Sequence, residues 1–320
     1  MNLKNISSLL FFLITASLIL FFGCSDKKNI PSKKVESLVD SSAIKDSIRK
    51  AEEEKIEIHY SFMKIKARET IKFLTEKYDA EGRKLIFALN RLDVRNLRNN
   101  DSLIIPDTVF KSIMPYSPFP KNLDSAKSIK KLLIFSYPIQ AFAAYENGSL
   151  VKWGPTSMGK KSTPTPTGLF HTNWKAKKTT STVNEEWILP WYFNLDNKEG
   201  VSLHQFDLPG YPASHACARL LDTDATWIYY WAEQWILNKS EEKVIAYGTP
   251  VIIYGKYDFK NKIRPWKKLV DDPKANNISE KELNEIINKY LSTITKRAEV
   301  RDSIIAMRNS EKDSLKKIGN

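Results

Sequence analysis

Leu203-His-Gln-Phe-Asp-Leu-Pro-Gly-Tyr-Pro-Ala-Ser-His-Ala-Cys-Ala-Arg-Leu220 is the stretch around which the rest of the chain is organised. It contains two of the four histidines and one of the two cysteines of the protein. A cysteine thiol becomes an effective nucleophile when a neighbouring imidazole accepts its proton. The stretch therefore predicts Cys217 as a nucleophile with a histidine base. His204, at the end of a predicted strand, is the better candidate, because His215 lies on the same loop as Cys217.

The N-terminus has the pattern of a signal peptide, since an uncharged, mostly apolar run over residues 6–22 precedes Gly23-Cys24. This run is shorter than the roughly 18 to 20 apolar residues that span a bilayer, which makes a transmembrane anchor the weaker interpretation. Gly23-Cys24 resembles the bacterial lipobox, although Phe21 and Phe22 stand where that motif prefers leucine and a small residue. The resemblance implies lipidation of Cys24 and a membrane-anchored lipoprotein that faces the periplasm.

Lipidation of Cys24 would leave Cys217 as the one free thiol, so no intramolecular disulfide could form. An unpaired thiol in an oxidising compartment is a liability unless the protein uses it. The predicted location thus supports a chemical role for Cys217 independently of its neighbours.

The composition predicts a folded protein, because 42% of the 320 residues are hydrophobic and 11% are aromatic. The formal net charge is +13, yet no basic run with interleaved aromatic residues suggests nucleic-acid binding. An exported protein would also not meet nucleic acid. The positive charge favours an anionic envelope surface, with a merely solvated surface as the alternative.

Four regions follow the signal peptide of residues 1–24. Residues 25–58 are charged and poor in aromatic side chains, which predicts a tether. Residues 59–108 read as strand, helix, helix and strand, an order that resembles a LysM domain. Its points of resemblance are Glu69-Thr70-Ile71, Asn90 and the strand Leu103-Ile104-Ile105-Pro106. The resemblance implies binding to peptidoglycan glycan, and the alternative is a small packing domain without a sugar ligand.

Residues 125–257 predict a mainly β domain, because short strands alternate with turns and one principal helix is expected from Asp222 to Leu237, with Asp222 or Thr223 as its cap. Residues 270–320 predict a charged helical tail, in which Ser279-Glu280-Lys281-Glu282 has the pattern of a capping box. One apolar face of this tail would dock on the main domain or mediate self-association.

Several motifs in the β domain resemble the YkuD-type L,D-transpeptidases of bacterial cell-wall synthesis. Their signature, a His-Gly followed by Ser-His-Gly-Cys and an Arg or Asn, reads here as His204-Gln205 and Ser214-His215-Ala216-Cys217-Ala218-Arg219. Three further stretches match in family order: Met158-Gly159 through Phe170, Leu189-Pro190-Trp191-Tyr192-Phe193 and Gly248-Thr249-Pro250-Val251-Ile252-Ile253.

This resemblance implies a β-sandwich-like fold, Cys217 as nucleophile, His204 as general base and the Gln205 carbonyl as the group that orients His204. Ser214, His215 and Arg219 would shape the site, and Tyr192 is the candidate substrate contact. The backbone N–H groups around Ala216 and Cys217, at the start of the following helix, would bind the oxyanion. The implied substrate is a peptidoglycan peptide stem, and no cofactor or metal ion is implied.

Four alternatives stay open. Water as the acyl acceptor would make the protein an L,D-carboxypeptidase. A papain-like peptidase or wall amidase usually has its cysteine well before its histidine, which is the opposite order. A zinc site could use His204, His215 and Cys217, although His-x-Cys on one tight loop is poor ligand spacing. A catalytically degenerate wall-binding lipoprotein is supported by Gln205 and Ala216, which replace family glycines. His171 is expected to be structural and His59 to be solvated.

Overall fold

The structure, a computed structural model, describes residues 57–181 and 184–318. The predicted signal peptide, the predicted lipidation site Cys24 and nearly all of the predicted tether lie outside these residues. Within them, no helix has the length and apolar character needed to cross a membrane.

An N-terminal βααβ unit occupies residues 60–106. Its elements are β1 (Tyr60–Lys64), α1 (Ala67–Lys77), α2 (Ala80–Leu89) and β2 (Ser102–Pro106). The two strands are antiparallel, with Tyr60 opposite Pro106. Asp79 begins α2 by accepting a hydrogen bond from the Gly82 amide at 2.7 Å, as expected of an N-cap aspartate. The order of elements is the one predicted from the sequence, whereas its likeness to a glycan-binding LysM domain stays a prediction.

The remaining strands form one nine-stranded mixed sheet and one small two-stranded sheet. The strands are β3 (Leu132–Ser136), β4 (Ala141–Glu146), β5 (Ser149–Ser157), β6 (Gly168–His171), β7 (Lys175–Thr180), β8 (Ile188–Asp196), β9 (Val201–Gln205), β10 (Ala218–Leu220), β11 (Ile236–Leu237), β12 (Val244–Ala246) and β13 (Pro250–Tyr254). The large sheet has the order β6-β13-β3-β4-β5-β10-β9-β8-β7, and β11 pairs with β12 in the small sheet.

The predicted mainly β, sandwich-like domain is built on a single curled sheet. The reason lies in the long strand β5, which pairs with β4 over residues 149–155 and with β10 through Thr156 and Ser157. Strands β3 and β4 are buried on both faces, so their sequences are continuously apolar rather than alternating. One face contributes Phe135 and Phe142 to a core shared with Phe193 and Leu203 from the other half of the sheet.

Helix α3 (Asp222–Trp231) packs on β8 and β9, but it ends before Leu237, where the sequence predicted its end. After Ala232 the chain is extended, and the Glu233 amide donates to Thr249 Oγ1 at 2.9 Å. This tertiary hydrogen bond holds the chain away from the helical path, and the helix ends. The predicted caps Asp222 and Thr223 are also wrong, because Leu221 is the N-cap and no side chain caps the helix.

The C-terminal region contains a 3-10 turn (Pro265–Val270), α4 (Glu280–Asn288) and α5 (Leu291–Ile318). Ser279 caps α4 by accepting from the Glu282 amide at 3.1 Å, which is half of the predicted capping box. Helix α5 docks on the body through arginines: Arg297 donates to His171 Nδ1, and Arg301 donates to the carbonyls of Gln234 and Tyr247. Docking of the tail is thus observed, and self-association stays a prediction.

Candidate active site

Strand β9 separates polar from apolar side chains on its two faces. Val201 and Leu203 enter the core, whereas Ser202 and His204 share the opposite face because side chains alternate along a strand. Strand β10 runs parallel to β9, with Ala218 opposite Leu203 and Arg219 opposite His204. Cys217, immediately before β10, consequently lies beside Ser202.

Ser202 contacts the thiol directly, and sequence reasoning did not single it out. Its Oγ lies 3.1 Å from Cys217 Sγ, and Ser202 is fully buried. Cys217 Sγ also donates to the Gly200 carbonyl at 3.4 Å. Burial raises the pKa of the Cys217 thiol, while the hydroxyl and amide of Ser202 and the charge of Arg219 act in the opposite direction. The sequence signal that could have identified Ser202 is its i, i+2 spacing from His204, which places both side chains on one face of a strand.

His204 is buried and neutral. Its Nδ1 lies 2.9 Å from the Gln205 carbonyl. A carbonyl can only accept a hydrogen bond, so Nδ1 carries the proton and Nε2 keeps a free lone pair. Burial lowers the pKa of His204 to about 4; the Gln205 carbonyl opposes this shift and the charge of Arg219 adds to it. No hydrogen bond joins this ring to Cys217 in the described structure, although both residues line one cleft.

The two positions that replace family glycines differ. Ala216 has φ +73°, a left-handed conformation that costs an alanine about 1 kcal/mol. Gln205 has no positive φ, so its side chain causes no such strain. The Ala216 amide donates to the Thr163 carbonyl at 3.2 Å, so it is not available to an oxyanion. The expectation of an oxyanion site at a helix start is wrong in this respect, because strand β10 separates Cys217 from α3.

A turn over residues 158–165 holds the segment that precedes Cys217. Ser214 exchanges main-chain hydrogen bonds with it: the Ser214 amide donates to the Met158 carbonyl at 3.1 Å, and the Lys160 amide donates to the Ser214 carbonyl at 2.9 Å. Ser214 Oγ donates to the Cys217 carbonyl. A Cβ at Gly159 would overlap the main chain of Thr163 and Thr165, which explains the glycine. This segment is therefore fixed by contacts within the β domain itself.

His215 and Arg219 complete the cleft. Lys160 Nζ lies 2.8 Å from His215 Nε2, and burial, assisted by the charges of Lys160 and Arg219, lowers the pKa of His215. A neutral ring that accepts from lysine cannot act as a second base for Cys217. Arg219 donates to the Ala213 carbonyl at 3.2 Å and lies over the Phe206 ring, 4.5 Å from its centroid. Arg219 thus braces the loop and also places a positive charge near the thiol.

The opposite end of the loop, residues 207–211, is held by the βααβ unit. The Leu208 amide donates to the Asp93 carboxylate at 2.5 Å, and the Asp93 amide donates back to the Leu208 carbonyl at 2.8 Å. Arg95 pairs with Asp207 at 2.5 Å, and the Gly210 amide donates to the Arg91 carbonyl. The loop between His204 and Cys217 is therefore anchored by two different parts of the protein.

The cleft is narrow and partly aromatic. Its lining residues are Ser181, Trp187, Leu189, His204, Phe206, Ser214, His215, Cys217 and Arg219. Tyr192 is not among them: it is buried, and its ring lies 4.8 Å from that of Trp174. Leu189 of the same strand lines the cleft, and the substrate contact at Tyr192 stays a prediction. Trp187, from the turn before β8, and Phe206 are the aromatic rings of Phe, Trp or Tyr that line the cleft.

Two other histidines lie away from the cleft. His171 is buried and accepts from Arg297 at 3.1 Å, and burial with the charge of Arg297 lowers its pKa to about 3. His59 is exposed near the start of β1. Within the described residues, no group of three or more His, Cys, Asp or Glu side chains could hold a metal ion.

The comparison with known proteins agrees with this geometry. Residues 130–253 match the family model of the YkuD L,D-transpeptidase catalytic domain. No curated protein matches the chain.

Solved structures with a similar fold include an L,D-transpeptidase from Stackebrandtia nassauensis, 19% identical over 41% of this chain and 58% of that one, with a TM-score of 0.33. Another, from Mycobacterium smegmatis, is 20% identical over 39% of this chain and 59% of that one, with a TM-score of 0.32. The chain thus spans less than two thirds of either. The part of the chain that matches the family model of the YkuD L,D-transpeptidase catalytic domain, residues 130–253, is the β domain in which the sequence motifs resemble that family.

Proposed function

We propose that the protein is an L,D-transpeptidase that acts on peptidoglycan peptide stems through a thioester on Cys217. One observation carries this proposal. A half-buried thiol, contacted by the Ser202 hydroxyl, lines the same cleft as a neutral imidazole whose tautomer leaves Nε2 free. A nucleophile, a base and a group that orients the base are the elements of covalent acyl transfer. The match of residues 130–253 to the family supports the same conclusion.

The pKa shifts indicate how the proton moves. Since the pKa of His204 lies near 4 and that of Cys217 is raised, the resting pair is neutral rather than a thiolate–imidazolium pair. Proton transfer from Sγ to His204 Nε2 therefore accompanies attack on the substrate carbonyl. The Ser202 hydroxyl and the charge of Arg219 stabilise negative charge on sulfur as the proton leaves.

The proposed substrate is a tetrapeptide stem. Cys217 Sγ bonds to the carbonyl carbon of the third residue, the bond to the terminal D-alanine breaks, and the His204 imidazolium protonates the departing amine. A second amine, on the side chain of a diamino acid in a neighbouring stem, then attacks the thioester while His204 accepts its proton. The product is a 3→3 cross-link and the free thiol returns.

Two other outcomes remain distinct candidates. Water in place of the amine gives an L,D-carboxypeptidase, which uses the same residues. A catalytically degenerate domain would keep wall binding only, and the strained Ala216 is the observation in its favour. The intact contacts of Cys217 and His204 favour the enzyme.

The proposed setting is extracytoplasmic. Lipidation at Cys24 would anchor the protein to a membrane facing the periplasm, and the βααβ unit would bind peptidoglycan glycan. Trp187, rather than Tyr192, would contact the peptide stem, since it lines the cleft.

Muropeptides with tetrapeptide stems, incubated with the purified protein and analysed by mass spectrometry, test the proposal. A 3→3 dimer that is lost in Cys217→Ala supports transpeptidation, and a tripeptide alone indicates the carboxypeptidase. Absence of both products with the unaltered protein would support the degenerate domain. A covalent carbapenem adduct on Cys217 is the expected independent signature.

A further inference from the structure

Arg91, in the connection between α2 and β2, is buried without an acidic partner. Its side chain is 2% exposed, and no carboxylate in the described chain lies within 4.0 Å of its guanidinium. Two donor atoms are used: Nε donates to the Ile139 carbonyl at 3.2 Å and Nη1 donates to the Leu89 carbonyl at 2.6 Å. A buried charge is costly unless a counter-charge compensates it. Arg91 therefore requires an explanation beyond its two carbonyl contacts.

Arg91 lines a cavity of about 200 Å³ where three parts of the chain meet. The βααβ unit contributes Arg91 and Tyr60, the catalytic domain contributes Trp153, and the segment before α4 contributes Asn276. This cavity differs from the cleft of Cys217, with which it shares no lining residue.

Two buried donors, one lining this cavity and one packed against Arg91, have no protein partner. Asn276 is 5% exposed, and its Nδ2 has no hydrogen-bond partner among the protein groups. The same holds for Nε1 of the fully buried Trp266, whose ring centroid lies 5.0 Å from Arg91 Cζ. Burial raises the pKa of Tyr60 well above its ordinary value, so its hydroxyl keeps its proton. Unpartnered buried donors are rare in native proteins and indicate an acceptor.

The charges select the kind of acceptor. Glu57 and Lys274 also line the cavity, but both are exposed and their charges are opposite in sign. Arg91 therefore remains the uncompensated charge of the cavity. A monoanion neutralises one guanidinium, whereas a dianionic phosphate would leave a buried negative charge. The walls include Leu89, Trp153 and Leu269, and the volume is below the 300 Å³ or more that is common for drug-sized ligands. A small carboxylate with a short apolar substituent fits these conditions.

We propose that this cavity is a binding site for a small carboxylate, held by the guanidinium of Arg91 and the amide of Asn276. The bound anion joins the βααβ unit to the catalytic domain and to the segment before α4. Since Arg91 also accepts the Gly210 amide through its carbonyl, the site lies next to one anchor of the loop between His204 and Cys217. The proposal does not depend on the transpeptidase activity.

Thermal unfolding of the purified full-length protein tests this site without an activity assay. Acetate and propionate, each compared with chloride at equal ionic strength and pH, should give a saturable rise in Tm. A rise of about 5 °C is expected at a hundredfold excess over Kd. No difference between acetate and chloride would overturn the proposal. A larger rise with inorganic phosphate than with acetate would overturn the assignment to a carboxylate.

Two variants locate the effect. Arg91→Met should abolish the acetate-specific rise while keeping the fold, because an apolar side chain of similar length removes an unpaired buried charge. Asn276→Leu removes the amide at similar side-chain volume and should weaken the acetate-specific rise in Tm. It provides a second test if the Arg91→Met protein does not fold. Arg68→Met, on the exposed side of α1, is the matched control and should keep the rise. An acetate effect retained in both Arg91→Met and Asn276→Leu would place the anion elsewhere.

Discussion

The two ends of the loop between His204 and Cys217 are held in different ways. The end at Ser214 exchanges main-chain hydrogen bonds with the turn at Met158 and Lys160, inside the catalytic domain. The end at Leu208 is held by Asp93 of the βααβ unit, through one main-chain and one side-chain hydrogen bond. The chemical residues thus depend on their own domain, whereas the shape of the loop beyond them depends on its neighbour.

This difference between the two ends predicts how strongly a mutation at each end should affect the reaction. Changes at the Cys217 end should alter the reaction itself, because they displace the nucleophile or its charge. Changes at the Leu208 end should have smaller effects, because they alter only the support of the loop. Five substitutions test this difference between the two ends, from the largest expected effect to the smallest.

Cys217→Ala should abolish product formation while leaving the protein folded, because it removes the nucleophile but keeps a small side chain at a half-buried position. Mass spectrometry of muropeptide products and the thermal unfolding curve measure the two effects. Turnover in this variant would show that Cys217 is not the nucleophile.

Gly159→Ala should lower kcat/KM by about 10²-fold, because a Cβ would overlap the main chain of Thr163 and Thr165 and shift the segment before Cys217. Steady-state kinetics measure the loss, and circular dichroism checks that the fold is retained. Unchanged kinetics in a folded variant would contradict the rigid anchoring of this end.

Ser202→Ala should slow acylation by about tenfold, as expected for loss of one hydrogen bond to a charged group. It should also raise the pKa of the Cys217 thiol, since a donor that lowers that pKa is removed. The pH dependence of thiol alkylation measures this shift, which a purely structural role would not produce. Ser202→Thr, which keeps the hydroxyl, should recover part of the acylation rate. Ser136→Ala, at a buried serine on β3, is the control.

Asp93→Ala should lower kcat/KM by roughly threefold to tenfold, because the Leu208 amide loses its carboxylate acceptor. The pKa of the thiol should not change, which separates this anchor from the Ser202 contact. Asp107→Ala removes an exposed acid immediately after β2 and should have no effect. A loss as large as that of Gly159→Ala would show that the two ends are equally coupled to the chemistry.

Ala216→Gly should have the smallest effect, a gain in the free energy of unfolding of less than about 1 kcal/mol. Glycine relieves the strain at φ +73°, but it also increases the entropy of the unfolded chain. Urea unfolding measures the gain, and activity should be equal or higher. A clear loss of stability would show that Ala216 is not strained.

The sequence allowed much of the fold to be predicted. The order of elements in the βααβ unit and the match of residues 130–253 to the YkuD family model agree with local patterns and motif spacing, and Cys217 and His204 as the catalytic pair stay a prediction. Other features have long-range causes. Helix α3 ends before its predicted end because Glu233 bonds to Thr249, and the sheet is continuous because β5 pairs with both β4 and β10.

The sequence by itself determined which side chains could do the chemistry, because alternation on β9 puts Ser202 and His204 on one face and the motif places Cys217 after them. Only the tertiary structure decided which of them touch. Parallel pairing of β9 and β10 brings Ser202 to Cys217, and packing of the βααβ unit brings Asp93 to Leu208 and buries Arg91. Such contacts join residues far apart in the chain, and local sequence patterns do not encode their pairing.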